Sequence, residues 1–221
     1  MPINIDKYKE IIAELESKNV RLIAVSKTKP IEDIIELQQL GQKDFGENYV
    51  QELVEKYEAI SNKVNWHFIG HLQSNKIKYI APFVTMIHSV DSLKLLQEID
   101  KQAKKNNRII DCLLQVYIAT EETKFGLDET EIATIINEVN NNKLPNISIK
   151  GFMAMASFTN DETLIRKEFQ LLKKIKDTYP IPNIQYPISC TGMSQDYKIA
   201  IEEGCNMVRI GSLLFGGRER K

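Results

Sequence analysis

Lys27 closes an apolar run, RLIAVSK (21–27). A lysine carried to the end of a buried strand is partly desolvated, which lowers its pKa and exposes a neutral amine for carbonyl chemistry. The plainer reading of the same residue is a lysine snorkelling from a strand end. Near the other end of the chain, VRIGSLLFG (208–216) places Gly211 and Ser212 where two backbone N–H groups and a hydroxyl can meet an anion. Just ahead of it, SCTGMSQDY (189–197) sets Gly192 and Ser194 at a strand-to-helix turn. Helix N-terminal N–H groups favour a phosphate there, although Ser194 also reads as a simple N-cap. Arg209 lies two residues before Gly211 and so projects to the same side of the strand. A guanidinium in so apolar a run needs a partner. A salt bridge to a neighbouring strand would supply one, and so would a ring nitrogen on a bound cofactor.

Other groupings are weaker. HFIGH puts His67 and His71 four apart, but the segment reads as a strand and its turn, and no carboxylate completes a metal-ligand set. Asp44 and Glu47 flank the second apolar run without the matching pair a two-carboxylate hydrolase needs. Cys190 ends the seventh run with no positioned histidine in view, and reads as a small buried residue.

The elements that would hold these residues alternate regularly. Eight β-rich runs are RLIAVSK (21–27), KDFGE (43–47), WHFIG (66–70), VTMIHSVD (84–91), DCLLQVYI (111–118), ISIKGFMAM (147–155), YPISC (186–190) and MVRIGSLLF (207–215). Between them lie stretches with apolar spacing of three and four, such as Leu93, Leu95, Leu96 and Ile99. Residues 5–19 predict a further helix in front, with Pro30 in a first helical turn, Asp161 and Ser194 as N-caps and Gly204 just past a helix end. Near-continuous apolar strands imply burial on both faces and a parallel sheet. The pattern predicts one closed (β/α)8 TIM barrel domain over 1–221, with an additional N-terminal helix. An open doubly wound sheet would want a glycine-rich fingerprint where this chain has SKTKP. In a barrel, sites form at the carboxyl ends of the strands, and phosphate sites follow strands seven and eight.

Composition narrows the partners. Among 221 residues, 29 Lys and Arg nearly cancel 30 Asp and Glu, which leaves no cationic field for nucleic acid or an anionic membrane surface. The Lys101 to Lys105 cluster reads as a solvated face. Three cysteines without CxxC spacing suggest neither a disulfide framework nor a zinc site. No leader-like or membrane-spanning run is evident, so the expectation is a cytoplasmic protein.

Seven segments in matching order carry a resemblance. AVSKTKP (24–30), FGENYVQE (45–52), WHFIGHLQSNK (66–76), HSVDS (88–92), GFMAMAS (151–157), GMSQD (192–196) and VRIGSLLFG (208–216) resemble the pyridoxal phosphate homeostasis protein family, single-domain relatives of the alanine racemase barrel. The resemblance runs from about Arg21 to Gly216. It implies pyridoxal 5′-phosphate (PLP) as cofactor, held as a Schiff base on Lys27, with Arg209 facing the pyridine nitrogen. It implies that Gly211, Ser212 and Ser194 hold the phosphate, with Gly192 a cofactor-binding residue of the same turn, Ser189 a further ligand and Asn48 near the ring. Lys124 matches a second lysine near the cofactor entrance. The chain departs from the family pattern at S-C-T-G-M-S (189–194), one residue longer than S-M-G-M-S, and at His71, where proline is common.

The resemblance implies cofactor buffering and delivery by a monomer, with PLP-dependent apo-enzymes as recipients and no catalytic residue. A PLP-dependent amino-acid racemase of weak or narrow activity is the alternative. PLP is a strong electron sink when its ring nitrogen is protonated, and Arg209 can only donate. Two-base racemisation also needs an acid on the opposite face, and no second domain is expected to supply one.

Overall fold

The computed structural model describes residues 3–60, 63–121 and 125–217. Eight parallel strands close in sequence order: β1 (Arg21–Val25), β2 (Asp44–Glu47), β3 (Asn65–Phe68), β4 (Met86–Val90), β5 (Ile110–Gln115), β6 (Ile147–Met153), β7 (Ile188–Cys190) and β8 (Met207–Ile210). β8 returns to β1 in a register from Arg21 opposite Met207 to Ala24 opposite Ile210. Helices α2 (Ile31–Gln39), α3 (Val50–Ile60), α4 (Ile77–Ile80), α5 (Leu93–Lys105), α6 (Glu129–Asn140), α7 (Glu162–Thr178), α8 (Tyr197–Glu202) and α9 (Ser212–Phe215) follow strands around the outside. In front of β1 stands α1 (Ile5–Ser17), tied to the last turn by Asn4 N–H donating to Leu214 O at 2.8 Å. The chain is therefore a (β/α)8 TIM barrel with an N-terminal helix.

Strand alternation sorts the side chains into two layers. Phe45, Trp66, Phe68, Ile87, Leu114 and Phe152 face outward into the core shared with the helices, all buried. Ile23, Met86, Leu113, Met153, Cys190 and Met207 fill the barrel interior as a second cluster. Each such large side chain taken wholly from water contributes about 1.5–3 kcal/mol. Arg21, Asp44, His67, His88 and Arg209 share the inward parity, so polar groups run up through an otherwise apolar lumen.

The helices start where local chemistry supplies caps. Asp161 accepts from Thr163 and Leu164 N–H at the head of α7, and Asp128 and Glu131 form a reciprocal capping box on α6. Three expected boundaries shift. Ser194 caps no helix, and Asp196 takes the N-cap position of α8. Pro30 is the N-cap of α2, one position before its first turn. α1 stops at Ser17, with Asn19 left-handed at φ 54°.

Candidate functional site

Lys27 stands two residues beyond β1, half-buried in a tight turn, and not in the strand itself. It lines a cavity of about 810 Å³ at the carboxyl ends of the strands, together with Asn48, Ser194, Arg209, Gly211 and Ser212. Met155, Phe158 and Met193 supply apolar wall. Six of the sequence-derived site residues thus come together in one place. Ser189 and Gly192 are not among those lining it. Ser189 alternates with inward-facing Cys190 and so turns to the outer face of β7, its N–H bonded to Asn206 Oδ1 at 2.7 Å. Lys124 lies outside the described residues.

Gly192 shapes the turn by its backbone. Its φ is +73°, and an added Cβ would lie 2.8 Å from Ala200 Cβ. Its carbonyl accepts from Arg209 N–H at 3.0 Å. Gly211 passes so close to β1 that a Cβ would come 3.1 Å from Val25 O. Its N–H donates to Ser194 Oγ at 3.3 Å, which joins the β7–α8 and β8–α9 turns into one cup. Met193 N–H donates to Asp196 Oδ1 at 2.5 Å and fixes the far side of that cup.

Arg209 is 5% exposed. Nη2 donates to Ala154 O at 3.0 Å, whereas Nε is buried without a hydrogen-bond partner. No carboxylate among the described residues lies in ion-pair contact with it, so the cross-strand salt bridge does not form. Asn48 Oδ1 is a second buried polar atom with no partner. Such atoms cost about 1–3 kcal/mol each when nothing meets them.

Behind Lys27 lies a network in which the sequence offered only Glu47, and that as an unmatched carboxylate. Glu47 is fully buried and accepts from Ser26 Oγ at 2.6 Å and from Lys56 Nζ at 2.8 Å. Burial raises the Glu47 pKa, and the Lys56 ammonium opposes the shift. Lys56 donates further to Ser26 O at 2.7 Å and to Glu52 Oε1 at 2.7 Å. Glu52 Oε1 also accepts from Thr28 N–H at 2.6 Å. Glu52 and Lys56 are four apart on α3, a spacing that was available as a sign that they pair.

Below the cavity a second polar chain crosses the lumen. Arg21 grips Asp44 with Nη2 and Nε at 2.6 and 2.8 Å. Asp44 Oδ1 meets His67 Nε2 at 3.1 Å, His67 Nδ1 meets His88 Nε2 at 2.9 Å, and His88 Nδ1 lies 3.5 Å from Cys190 Sγ. Burial by itself would raise Asp44, but hydrogen bonds from His67 and Arg21 hold it well below the usual carboxylate range. Burial lowers both histidines, His88 the further, with nearby His67 and Arg209 adding to its shift. With Asp44 ionised and both imidazoles neutral, one arrangement satisfies every contact. Cys190 donates to His88, His88 to His67 and His67 to Asp44. Burial pushes the Cys190 thiol up to about 12, so it stays protonated at that end. Cys190 therefore has a positioned histidine after all, contributed by β4. His71 is elsewhere, exposed beside Asp91 at 3.3 Å, and among the described residues no cluster has the makings of a metal site.

The family model for the alanine racemase N-terminal domain matches residues 3–219. A pyridoxal phosphate homeostasis protein of Aquifex aeolicus is 40% identical over 90% of this chain and 87% of its own length. The human protein of that name is 37% identical over 93% of this chain and 79% of its own. The chain belongs to the pyridoxal phosphate homeostasis protein family.

Solved structures place this homeostasis-family chain among near and distant barrels. PipY of Synechococcus elongatus, solved with PLP bound, has a TM-score of 0.81 at 31% identity, covering 94% of this chain and 99% of that one. Alanine racemase of Clostridium difficile is 16% identical with a TM-score of 0.77, covering all of this chain and 59% of that one, which shows a shared fold alone. No described helix of the homeostasis-family chain is long and apolar enough to cross a membrane.

Proposed function

We propose that this chain binds PLP in the cavity at the strand ends, as a Schiff base on Lys27, and buffers and delivers it in the cytoplasm without turning over a substrate. The observation that carries the reading is Arg209, a buried guanidinium with one N–H unpaired and, among the described residues, no carboxylate in ion-pair contact with it. A pyridine nitrogen is the kind of acceptor this donor lacks. Asn48 Oδ1, also buried and unpaired on the cavity wall, and the glycine-lined cup of Gly211, Ser212 and Ser194 fit a ring carrying a phosphate. Gly192 shapes that cup through its backbone.

When bound, PLP supplies an aldehyde and an electron-accepting ring. A guanidinium can only donate, so Arg209 would leave the ring nitrogen unprotonated and the ring a poor sink. Lys27 supplies the amine that attaches the aldehyde reversibly. The family names and the PLP-bound PipY structure support this reading. We take 1–221 as one such domain, a monomer whose recipients are PLP-dependent apo-enzymes.

The test is an absorbance spectrum of purified protein with added PLP, before and after borohydride, followed by peptide mapping. Near-visible absorbance and a pyridoxyl group on Lys27 are expected. A protein that takes up no PLP, or one labelled on another lysine, overturns the assignment.

A further inference from the structure

We infer that Glu52 and Lys56, backed by Glu47, are positioning residues that set the direction of the Lys27 side chain by holding the peptide groups on both sides of it. The inference deepens the reading of Lys27 as the point of attachment and rests on it. Two peptide planes meet at the Lys27 Cα. The first ends in the Ser26 carbonyl, which accepts from Lys56 Nζ at 2.7 Å. The second carries the Thr28 N–H, which donates to Glu52 Oε1 at 2.6 Å. Glu52 Oε1 and Lys56 Nζ are themselves joined at 2.7 Å, so one continuous clamp spans the residue from carbonyl to N–H.

Each part of the clamp is fixed in turn. All three protons of the Lys56 ammonium are used, on Ser26 O, Glu47 and Glu52. Lys56 is 4% exposed and Glu47 is wholly buried, so water does not compete for these bonds. Glu47 also takes the Ser26 hydroxyl. Thr28 is held at φ +62°, a left-handed conformation that a threonine adopts only when its surroundings impose it. That strain sits at the residue next to Lys27, and the short Glu52 bond to its N–H is what opposes relaxation.

The consequence for attachment follows from orientation. The Lys27 amine adds to the aldehyde carbon, the C=N bond forms, and the carbonyl oxygen leaves as water. The rate depends on how often the amine points at the carbon, and misplacement by about 1 Å costs such reactions up to about a hundredfold. With the peptide planes fixed, the direction in which the Lys27 Cα–Cβ bond leaves the backbone is fixed as well.

The experiment mixes PLP with the whole chain, quenches with borohydride at timed intervals, and measures pyridoxyl–Lys27 by peptide mapping. The melting curve of each variant is recorded alongside. Glu52→Ala removes the acceptor from Thr28 at a partly exposed site on α3. We expect attachment at least about tenfold slower at temperatures well below the variant's melting transition, where the chain is folded. Glu52→Gln keeps an acceptor oxygen and restores most of the rate. Glu55→Ala, on the same helix but outside the clamp, behaves as wild type. The isosteric double change Lys56→Met with Glu47→Gln takes the ammonium off the Ser26 carbonyl, leaving it only the Lys29 N–H at 3.0 Å, without stranding a buried charge, and slows attachment in the same way. Wild-type rates in both Glu52→Ala and the double variant overturn the inference while leaving the assignment of Lys27 intact. So does slow attachment that merely tracks unfolding and is not restored by Glu52→Gln. A wild-type protein labelled elsewhere than Lys27 overturns the assignment itself, and the inference with it.

Discussion

Mild acid should destabilise this barrel through the two lumen histidines, by an amount that can be worked out in advance. Both His67 and His88 are wholly buried and have folded-state pKa values below their ordinary one. In the unfolded chain each titrates near about 6.5. A depressed folded pKa for a base means that the unfolded state binds more protons as pH falls through the unfolded value, so stability is lost in that window. Between about pH 7.5 and about pH 5.5 the loss is about 1.4 kcal/mol for each histidine that stays neutral when folded. His88, the more depressed, contributes its full share, and His67 brings the pair to at most about 2.8 kcal/mol. Asp44 does not interfere. Its carboxylate is depressed, so its contribution is present above the ordinary carboxylate pKa and is lost only in stronger acid. Glu47 is shifted the other way and gains stability as pH falls, and a control cancels it. The assay is urea denaturation at both pH values for wild type and for the double variant His67→Asn with His88→Gln, which keeps Glu47 and His71. Wild type should lose between about 1.4 and 2.8 kcal/mol more than the variant. Equal losses in the two proteins would mean that the lumen histidines are protonated when folded, and the Cys190-to-Asp44 direction of donation would be wrong.

Three further outcomes are expected. Arg209→Leu should weaken PLP uptake, read as loss of near-visible absorbance on titration, while costing only about 1–3 kcal/mol in urea from the unpaired Ala154 carbonyl; an unfolded variant would show that the guanidinium is mainly structural. Gly192→Ala should destabilise by more than about 1 kcal/mol, since it combines a left-handed φ with a Cβ 2.8 Å from Ala200, and urea denaturation at neutral pH reads it. Asp128→Ala, which breaks the α6 capping box, should cost about 0.5–2 kcal/mol by the same method and leave PLP uptake untouched, as α6 contributes nothing to the cavity lining.

How much of this was legible in the sequence depended on whether the signal was local. Eight apolar runs with punctuated helices between them predict the barrel, because a strand buried on both faces leaves its mark in a few consecutive residues. The boundaries are less faithful where a breaker intrudes. YPISC shrinks to Ile188–Cys190, since Pro187 has no N–H for the ladder and Tyr186 is 81% exposed. Ser194 reads as a cap by residue type; Asp196, two residues on, takes the N-cap position without a side-chain cap bond, and the Ser194 hydroxyl accepts from Gly211 N–H. Lys27, Asn48, Arg209, Gly211, Ser212 and Ser194 were within reach because strand ends in a barrel share one face. The lumen chain was not, for Asp44, His67, His88 and Cys190 come from four strands and meet only when the barrel closes. Nothing near Cys190 in sequence could announce a histidine 102 residues away.

The Glu47–Lys56 pair poses a question that stability alone does not answer. Desolvating two charges costs several kcal/mol each, and buried ion pairs can often be replaced by apolar groups of similar volume with no loss, or with a gain of about 1–4 kcal/mol. A device for stability would therefore be better made of leucine. Glu47 even leaves Oε2 buried and without a partner, a further cost that an apolar side chain would avoid. What apolar side chains cannot do is hold a carbonyl on one side of Lys27 and, through Glu52, an N–H on the other. The pair touches the Lys27 turn through Ser26 and Glu52, and through Glu52 it reaches the strained Thr28. If direction of the lysine is what this costly arrangement secures, stability and attachment must separate on substitution. The Lys56→Met, Glu47→Gln double variant should then melt no lower than wild type, and higher if the desolvation cost dominates, while its Lys27 is labelled more slowly. A variant that loses stability and keeps the wild-type labelling rate would show that the pair holds the barrel together and leaves the lysine to find its own way.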